Sequence, residues 1–153
     1  MQKQVQVVVD AMGGDNAPEE IVKGAVEAAA SREDIQIIFT GREEVIKQEL
    51  AKYEYPADRV SIVNATEVIE TAEPPVNAIR KKKDSSIVVG MNLVKKKEAD
   101  AFVSSGSTGA VLVGGQVIVG RIKGVERPPL APLIPTKTGV ALLVDCGANV
   151  DAR

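Results

Sequence analysis

Histidine is absent from the 153 residues of this chain, and cysteine occurs once, at Cys146. The missing imidazole excludes a Ser-His-Asp triad, a Cys-His dyad and histidine metal ligands within this segment. A single cysteine excludes an internal disulfide, which suits a reducing compartment. Without a neighbouring base, Cys146 is more typical of a small structural residue near the core than of a catalytic thiolate. We expect neither a metal ion nor a cofactor.

Aromatic residues are scarce, because the chain has two Phe, two Tyr and no Trp. Their scarcity argues against surfaces that stack on bases. The formal net charge of −2 shows no basic bias towards nucleic acid, and we expect no nucleic-acid partner. Because aromatic residues are so few, the core must consist of Val, Ile, Leu and Ala, as in parallel α/β sheets.

Long hydrophobic runs are also missing from the sequence. No apolar run reaches the length of a transmembrane helix. The chain enters a strand-like segment at residues 5–9 without the hydrophobic region or cleavage site of a signal peptide. These absences predict a cytoplasmic protein.

Strands and helices alternate along the first part of the chain. Short apolar runs predict strands, and the amphipathic segments between them predict helices, the first of which Asn16 could cap. The predicted strands comprise residues 5–9, 35–39, 60–63 and 101–103. This alternation is typical of an α/β fold in which helices cover both faces of a mostly parallel sheet.

Three further helices are predicted after the third strand. Two of them occupy residues 74–83 and 85–98, and a third, apolar nearly all round, occupies residues 111–119. Gly114 and Gly115 lie inside this third helix, where each glycine costs about 1 kcal/mol relative to Ala. Such a cost predicts that a neighbouring element packs very closely there.

The last part of the chain predicts a hairpin. Residues 137–139 form a turn signal between two apolar runs. The second run, residues 140–144, predicts a strand that is buried on both faces. A core strand so near the last residue predicts that residues 1–153 are part of a larger α/β domain.

A run of Gly, Ser and Thr lies between the strand at residues 101–103 and the apolar helix. Its sequence is Ser104-Ser105-Gly106-Ser107-Thr108-Gly109. A turn from a strand into a helix exposes several backbone N–H groups at the positive end of the helix dipole, which makes it a candidate anion site. The run matches neither G-x-G-x-x-G nor the P-loop pattern with its Lys. An ordinary glycine-rich turn is the alternative.

Three predicted turns follow strands and could line one cleft, at residues 10–15, 104–109 and 145–149. In open parallel sheets, ligands bind beyond the carboxyl ends of the strands. The turns would bring together backbone N–H groups, hydroxyls, an amide and carboxylates, and the donors suit a phosphate. The alternative for Asp10 and Asp145 is that their carboxylates only stabilise turns and cap helices. The alternative for the glycine pair at 13–14 is a turn that needs positive φ.

Basic residues are concentrated near residues 80–83 and 121–127. They could present a positive face to an acidic protein partner. The alternative is that they are solvated helix ends, where the helix dipole favours Lys and Arg. The candidate partner residues are Arg80, Lys81, Lys82, Lys83, Arg121, Lys123 and Arg127.

Several segments together carry a family resemblance. They are Val9-Asp10-Ala11-Met12-Gly13-Gly14-Asp15-Asn16-Ala17-Pro18, Arg80-Lys81-Lys82-Lys83-Asp84-Ser85-Ser86, the loop at 104–110, Val119-Gly120-Arg121-Ile122-Lys123-Gly124 with Arg127-Pro128, and Asp145-Cys146-Gly147-Ala148-Asn149-Val150-Asp151-Ala152. In this order they resemble the PlsX family, the acyl-ACP:phosphate acyltransferases of bacterial phospholipid synthesis. The resemblance spans essentially the whole chain but only about the N-terminal half of the family. Two positions depart from it, since Asn16 is often His there and Ser107 is often Asn.

The resemblance implies a fold similar to the phosphotransacetylases and the isocitrate dehydrogenase-like group. It also implies a homodimer and a peripheral association with the inner face of the cell membrane, through a part of the family that lies further along. In the implied reaction, inorganic phosphate attacks the thioester of acyl-ACP and releases acyl-phosphate and free ACP. The acidic carrier protein would then meet the basic segments.

The predicted site follows from the cleft and the resemblance together, and no catalytic residue is assigned. The phosphate- or substrate-binding residues are predicted to be Asp10, Gly13, Gly14, Asp15, Gly106, Ser107, Thr108, Gly109 and Asn149. The alternative is a non-catalytic, Rossmann-like fragment that binds a phosphate ligand and whose activity needs a missing C-terminal half. No G-x-G-x-x-G follows the first strand, which argues against a dinucleotide-binding module.

Overall fold

The computed structural model describes residues 4–126, 128–144 and 146. A parallel sheet of four strands, in the order β3-β2-β1-β4, forms its centre. The strands are β1 (Val5–Asp10), β2 (Ile35–Gly41), β3 (Val60–Asn64) and β4 (Ala101–Val103). The predicted strands and their parallel arrangement are confirmed.

Two helices cover one face of the sheet. They are α1 (Glu19–Ser31) and α2 (Glu43–Leu50). Val22 and Ile46 from these helices pack with Val9 of β1 and Phe39 of β2 in one buried cluster. Because side chains alternate along a strand, the residues next to Val9 in β1 and next to Phe39 in β2 face the opposite side of the sheet.

Helices from the second half of the chain cover that opposite face. They are α3 (Pro75–Lys81), α4 (Ser86–Lys95) and α5 (Thr108–Gly114), and α5 continues directly into a π-helical segment, Gly115–Val119. Ile79, Ile87 and Met91 form a second buried cluster there, with Phe102 of β4 packed against it. The predicted α/β class, with helices on both faces of the sheet, is therefore confirmed.

The start of α1 differs from its prediction, because Asn16 does not cap the helix. The N-terminal cap position is Pro18, which has no capping side chain, and Asn16 contributes only its backbone carbonyl to the N–H of Glu20 at 3.1 Å. An N-cap side chain bonds the N–H two or three residues later. Two residues after Asn16 stands a proline, which has no N–H to donate.

A hairpin near the end of the described chain has the predicted turn but not the predicted burial. Strands β5 (Leu133–Thr136) and β6 (Gly139–Leu142) pair antiparallel with each other and with no strand of the parallel sheet. Val140 is 67% exposed and Leu142 is 60% exposed. The prediction of a strand buried on both faces is wrong, because no helix of the described residues packs over this hairpin.

The helical segment at residues 108–119 corrects a second burial prediction. It is not buried all round, since Val117 is 61% exposed. Gly114 packs against the sulfur of Met91 so closely that a Cβ would collide with it, as predicted. Gly115 faces open space, with no atom within 4 Å of the position that a Cβ would take, so close packing explains only the first glycine.

Two helical glycines should respond oppositely to alanine. A Cβ at Gly90 of α4 would lie 2.5 Å from Cε2 of Phe102, whereas a Cβ at Gly24 of α1 meets nothing within 4 Å. We expect Gly90→Ala to destabilise the fold by about 1–3 kcal/mol because it overpacks the sheet. We expect Gly24→Ala to stabilise it by about 1 kcal/mol through helix propensity. Urea unfolding of both variants measures the difference, and a Gly90→Ala variant as stable as Gly24→Ala would contradict this packing.

Candidate functional site

Two of the three predicted turns meet at the carboxyl ends of adjacent strands. Strand β1 pairs with β4, in the register of Val9 with Val103, so the turns at residues 10–15 and 104–109 leave the sheet side by side. Around Gly14 the backbone approaches closely enough that a Cβ would lie 3.1 Å from the carbonyl oxygen of Ser105. The structure therefore brings these two predicted segments together.

A chain of hydrogen bonds joins the two turns through Asp10. This carboxylate is 1% exposed, and its Oδ1 accepts a hydrogen bond from the N–H of Met12 at 3.1 Å. Its Oδ2 accepts the hydroxyl of Ser104 at 2.7 Å, and Oγ of Ser104 in turn accepts the N–H of Gly106 at 3.0 Å. Both carboxylate oxygens are thus occupied inside the protein. This geometry favours the turn-fixing role for Asp10. The N–H of Gly106 is likewise already hydrogen-bonded, to Ser104.

The glycines at 13 and 14 serve two different requirements. Gly13 is buried, and a Cβ there would collide with Oδ2 of Asp10 and lie 2.9 Å from the nitrogen of Gly106. Gly14 has a φ of +107°, a conformation that glycine adopts without steric cost. The hydrogen-bonded contact between the turns therefore depends on the missing side chain at Gly13, and the path of the chain depends on Gly14.

Backbone donors remain available at the start of α5. Ser107 is 3% exposed, and its hydroxyl caps the helix by accepting the N–H of Ala110 at 3.2 Å. The N–H groups of Thr108 and Gly109 donate no hydrogen bond to any described residue. Thr108 is exposed and Gly109 is half-buried. Of the four loop residues in the predicted site, these two offer unpaired amide donors that a ligand could reach.

The remaining predicted site residues contribute less to this picture. Asp15 is exposed on the turn after β1 and makes no hydrogen bond or ion pair with a described residue. Asn149 and the predicted turn at residues 145–149 lie outside the described residues, apart from Cys146. This cysteine is exposed, which corrects the expectation that it lies near the core. Its N–H donates to the carbonyl of Leu130 at 3.1 Å.

A third segment also borders the site, and the sequence alone did not indicate its role. A Cβ at Gly109 would lie 2.6 Å from Cγ of Pro75, so the first turn of α3 packs directly against the first turn of α5. The loop before α3 is tied down by Lys82, whose Nζ donates to the carbonyl of Val68 at 2.6 Å and pairs with Glu73. The Pro-Pro pair predicts only where α3 begins. No local sequence signal marks its contact with Gly109, because the two segments are distant in sequence.

Polar side chains fix the path of the same loop. Asp84 accepts hydrogen bonds from the hydroxyl and the N–H of Thr66, and these bonds hold the pKa of Asp84 below its usual value. The hydrogen bond from Lys82 likewise lowers the pKa of Glu73. Carboxylates with lowered pKa values stabilise the folded state above their unfolded-state pKa, and that contribution is lost as the pH falls through the lowered values. The loop that supports α3 should therefore lose stability as the pH falls through the lowered pKa values of Asp84 and Glu73.

The predicted basic surface is only partly available to a partner. Lys82 is committed to the loop, and Nζ of Lys83 donates to the carbonyl of Ile79 at 3.1 Å. Arg80 and Lys81 are exposed and make no hydrogen bond or ion pair from their side chains with described residues. Of the second basic segment, Arg121 donates to the carbonyl of Glu126 at 2.6 Å, Lys123 is exposed, and Arg127 lies outside the described residues.

Comparison with known proteins places this geometry in a family. A family model described as "Fatty acid synthesis protein" matches residues 5–153. The chain belongs to this family. It is 52% identical over 149 residues to a phosphate acyltransferase of Halothermothrix orenii and 54% identical over 149 residues to one of Clostridium beijerinckii. Each match covers 97% of the chain and 45% of the relative, so the chain spans about half the length of these curated relatives.

Solved structures show the same fold in more distant proteins. A phosphotransacetylase from Streptococcus pyogenes superimposes with a TM-score of 0.66 at 20% identity, covering 97% of this chain and 49% of that one. The EutD phosphotransacetylase from Staphylococcus aureus gives a TM-score of 0.61 at 20% identity. The family resemblance and the phosphotransacetylase-like fold expected from the sequence are both confirmed. Among the described residues, no helix is long and apolar enough to cross a membrane.

The hydroxyl of Ser104 should be essential to the junction between the two turns. Ser104→Ala leaves the buried Oδ2 of Asp10 and the N–H of Gly106 without their partner, which should cost about 1–3 kcal/mol of unfolding free energy. Ser105→Ala is the matched control, because Ser105 is exposed and its hydroxyl bonds no described residue. The control should stay within about 0.5 kcal/mol of the parent. Equal midpoints of the two variants in urea unfolding would show that the Asp10 network does not hold the turns.

Proposed function

We propose that this chain supplies the phosphate-binding half of an enzyme that transfers an acyl group from a carrier-protein thioester to inorganic phosphate. Membership of a fatty acid synthesis family whose relatives are named phosphate acyltransferases supports the acyl-transfer chemistry. The observation that carries the phosphate assignment is the pair of amides at Thr108 and Gly109, which donate to no described residue. They stand in a turn that is already held in place by the hydrogen bonds from Ser104 to Asp10 and from Gly106 to Ser104.

The reaction needs positioning more than proton abstraction. An oxygen of hydrogen phosphate attacks the thioester carbonyl carbon, the carbon–sulfur bond breaks, and the phosphate proton goes to the departing thiolate. The products are acyl-phosphate and the free carrier thiol, so charge and atoms balance without an added base. The enzyme's task is to hold a charged nucleophile in line and to stabilise the developing oxyanion. Prepositioned amides supply both without reorganising during the reaction.

A second candidate function rests on the length of the chain. Because the chain covers 45% of its curated relatives, it could bind the phosphate ligand without completing the reaction. The discriminating measurement is acyl-phosphate formation from acyl-ACP and phosphate. It should be made on this chain and on a version extended with the C-terminal part of the Halothermothrix orenii relative. Activity only in the extended version identifies this chain as a binding half.

Proline at position 108 tests the amide donors directly. Thr108 is the first residue of α5, a position that accepts proline. Ser107 before it is extended, at φ −60° and ψ 107°, as the residue before a proline must be, so proline at position 108 does not break the helix. Thr108→Pro removes one N–H and should weaken phosphate binding about 10- to 100-fold, as expected for a hydrogen bond to a charged group. Thr108→Ala keeps the N–H and should retain most of the affinity.

The measurement is calorimetric titration of inorganic phosphate into the chain and into the extended version. Parental affinity in Thr108→Pro would remove the loop from the phosphate site. An equal loss in Thr108→Ala and Thr108→Pro would assign binding to the hydroxyl instead of the amide.

We also propose that the acidic carrier protein approaches the exposed end of α3. Arg80 and Lys81 carry this proposal, because they are the members of the first basic segment whose side chains are not engaged within the described residues. Lys123 is a further exposed candidate on the loop after α5. Arg121 is a weaker one, because its guanidinium already bonds the carbonyl of Glu126.

Reversing both charges should slow association with the carrier. Arg80→Glu with Lys81→Glu should weaken acyl-ACP binding about tenfold at low salt, and the difference should shrink at high salt as the charges are screened. Lys23→Glu with Arg42→Glu is the control, since it changes the net charge equally on the elements that cover the opposite face. The same loss in both double variants would reduce the effect to net charge and contradict the assignment to α3.

The family resemblance supports two assembly proposals. The complete enzyme would act as a homodimer in the cytoplasm. It would associate peripherally with the inner face of the membrane through the part of the family beyond this chain. Neither proposal depends on a residue described above.

A further inference from the structure

An apolar pocket of about 510 Å³ lies beside α5, on the side away from α3. Its walls come from α4, β4, α5, the π-helical segment and the following loop, at residues 120–125 and 128–129. Met91, Phe102, Val111, Leu112 and Val119 are among its lining residues, and Gln116 and Arg121 are the only polar side chains among those that the structure describes in its walls. This lining favours an apolar occupant.

The pocket begins one helical turn from the unpaired amides. Leu112 lines the pocket and follows Thr108 by four residues on the same helix, a rise of about 6 Å. A molecule that places a polar group at the start of α5 can therefore lay an apolar extension along the helix into the pocket. Its volume falls within the roughly 300–1,000 Å³ of small-molecule sites.

Gly115 keeps one wall of the pocket free of a side chain. It lines the pocket, its backbone is helical at φ −56° and ψ −45°, and a Cβ there would meet no atom within 4 Å. At the preceding Gly114, the sulfur of Met91 occupies the space that a side chain would take. Gly114 therefore lets α4 approach, whereas Gly115 leaves a space open. Packing alone gives no reason for a glycine at position 115, where glycine costs about 1 kcal/mol of helix propensity relative to Ala.

We propose that this pocket holds the hydrocarbon chain of the acyl substrate and that Gly115 determines how much chain it accepts. The proposal rests on the proposed acyl transfer. The substrate of that reaction has a thioester, which phosphate attacks, at one end and a long apolar chain at the other. The concave shape and the short path to the amides favour a flexible chain over a flat protein surface. A polypeptide segment of the longer relatives is the competing occupant.

Filling the pocket from Gly115 tests the proposal on the 153-residue chain. The probe is palmitate, with octanoate as its shorter counterpart, titrated by displacement of a fluorescent fatty acid. Palmitate should bind the parent more tightly than octanoate. Gly115→Leu should weaken palmitate binding by about tenfold or more, as steric exclusion of a few methylene groups does elsewhere. Gly115→Ala should give a smaller loss in the same direction.

Gly24→Leu is the matched control, because Gly24 is helical, meets nothing within 4 Å of a Cβ and lies on α1 at the opposite face. Equal palmitate affinity in Gly115→Leu and Gly24→Leu would overturn the proposal, as would a parent that binds no fatty acid. Loss of binding in the version extended with the Halothermothrix orenii part would assign the pocket to polypeptide and overturn it too. If Gly115→Leu does not fold, Gly115→Ala decides.

The same titrations separate this proposal from the proposed function. Gly115→Leu should bind inorganic phosphate as the parent does, because position 115 lies two turns from the amides at the start of α5. Palmitate binding that survives Thr108→Pro, together with lost phosphate binding, supports both assignments independently. Phosphate binding unaffected by Thr108→Pro would contradict the assignment of phosphate to this loop. It would not change the conclusion drawn from palmitate binding to the pocket.

Discussion

The hydrogen bonds that the Asp10 carboxylate accepts from Met12 and Ser104, and the one that Ser104 accepts from Gly106, are the constraint on which the site depends. They connect residues 94 positions apart in sequence, so the turn after β1 and the turn after β4 cannot move independently. A buried carboxylate without partners would be costly, whereas this one has both oxygens occupied. The amides of Thr108 and Gly109 inherit their fixed position from this junction.

Close approach of backbones is the second condition, and glycine meets it at each contact. Gly13 admits the Asp10 carboxylate, Gly109 admits Pro75 of α3, and Gly114 admits Met91 of α4. The turn after β1 and α3 therefore crowd around the start of α5, while α4 packs against its last residue. A rigid surrounding suits a site that works by positioning. Where no neighbour approaches, at Gly115, the same residue type leaves a cavity instead of a contact.

Charged side chains divide between internal support and an exposed surface. Lys82 holds the loop before α3 through Val68 and Glu73, although the sequence presents it as one of four equivalent basic residues. Arg80 and Lys81 next to it stay exposed. Substituting the whole run would mix a structural effect with a surface effect, and the structure separates the two.

The sequence by itself determined the element order, the parallel α/β class and the two segments that meet at the sheet edge. It could do so because apolar periodicity and Gly-rich turns are local signals. Side-chain commitments depend on residues distant in sequence, so only the tertiary structure decided that Asp10 is enclosed, that Gly106 is engaged and that residues 140–144 are exposed. Only the tertiary structure likewise decided the contact of Pro75 with Gly109 and the open space at Gly115, because close packing depends on neighbours in space.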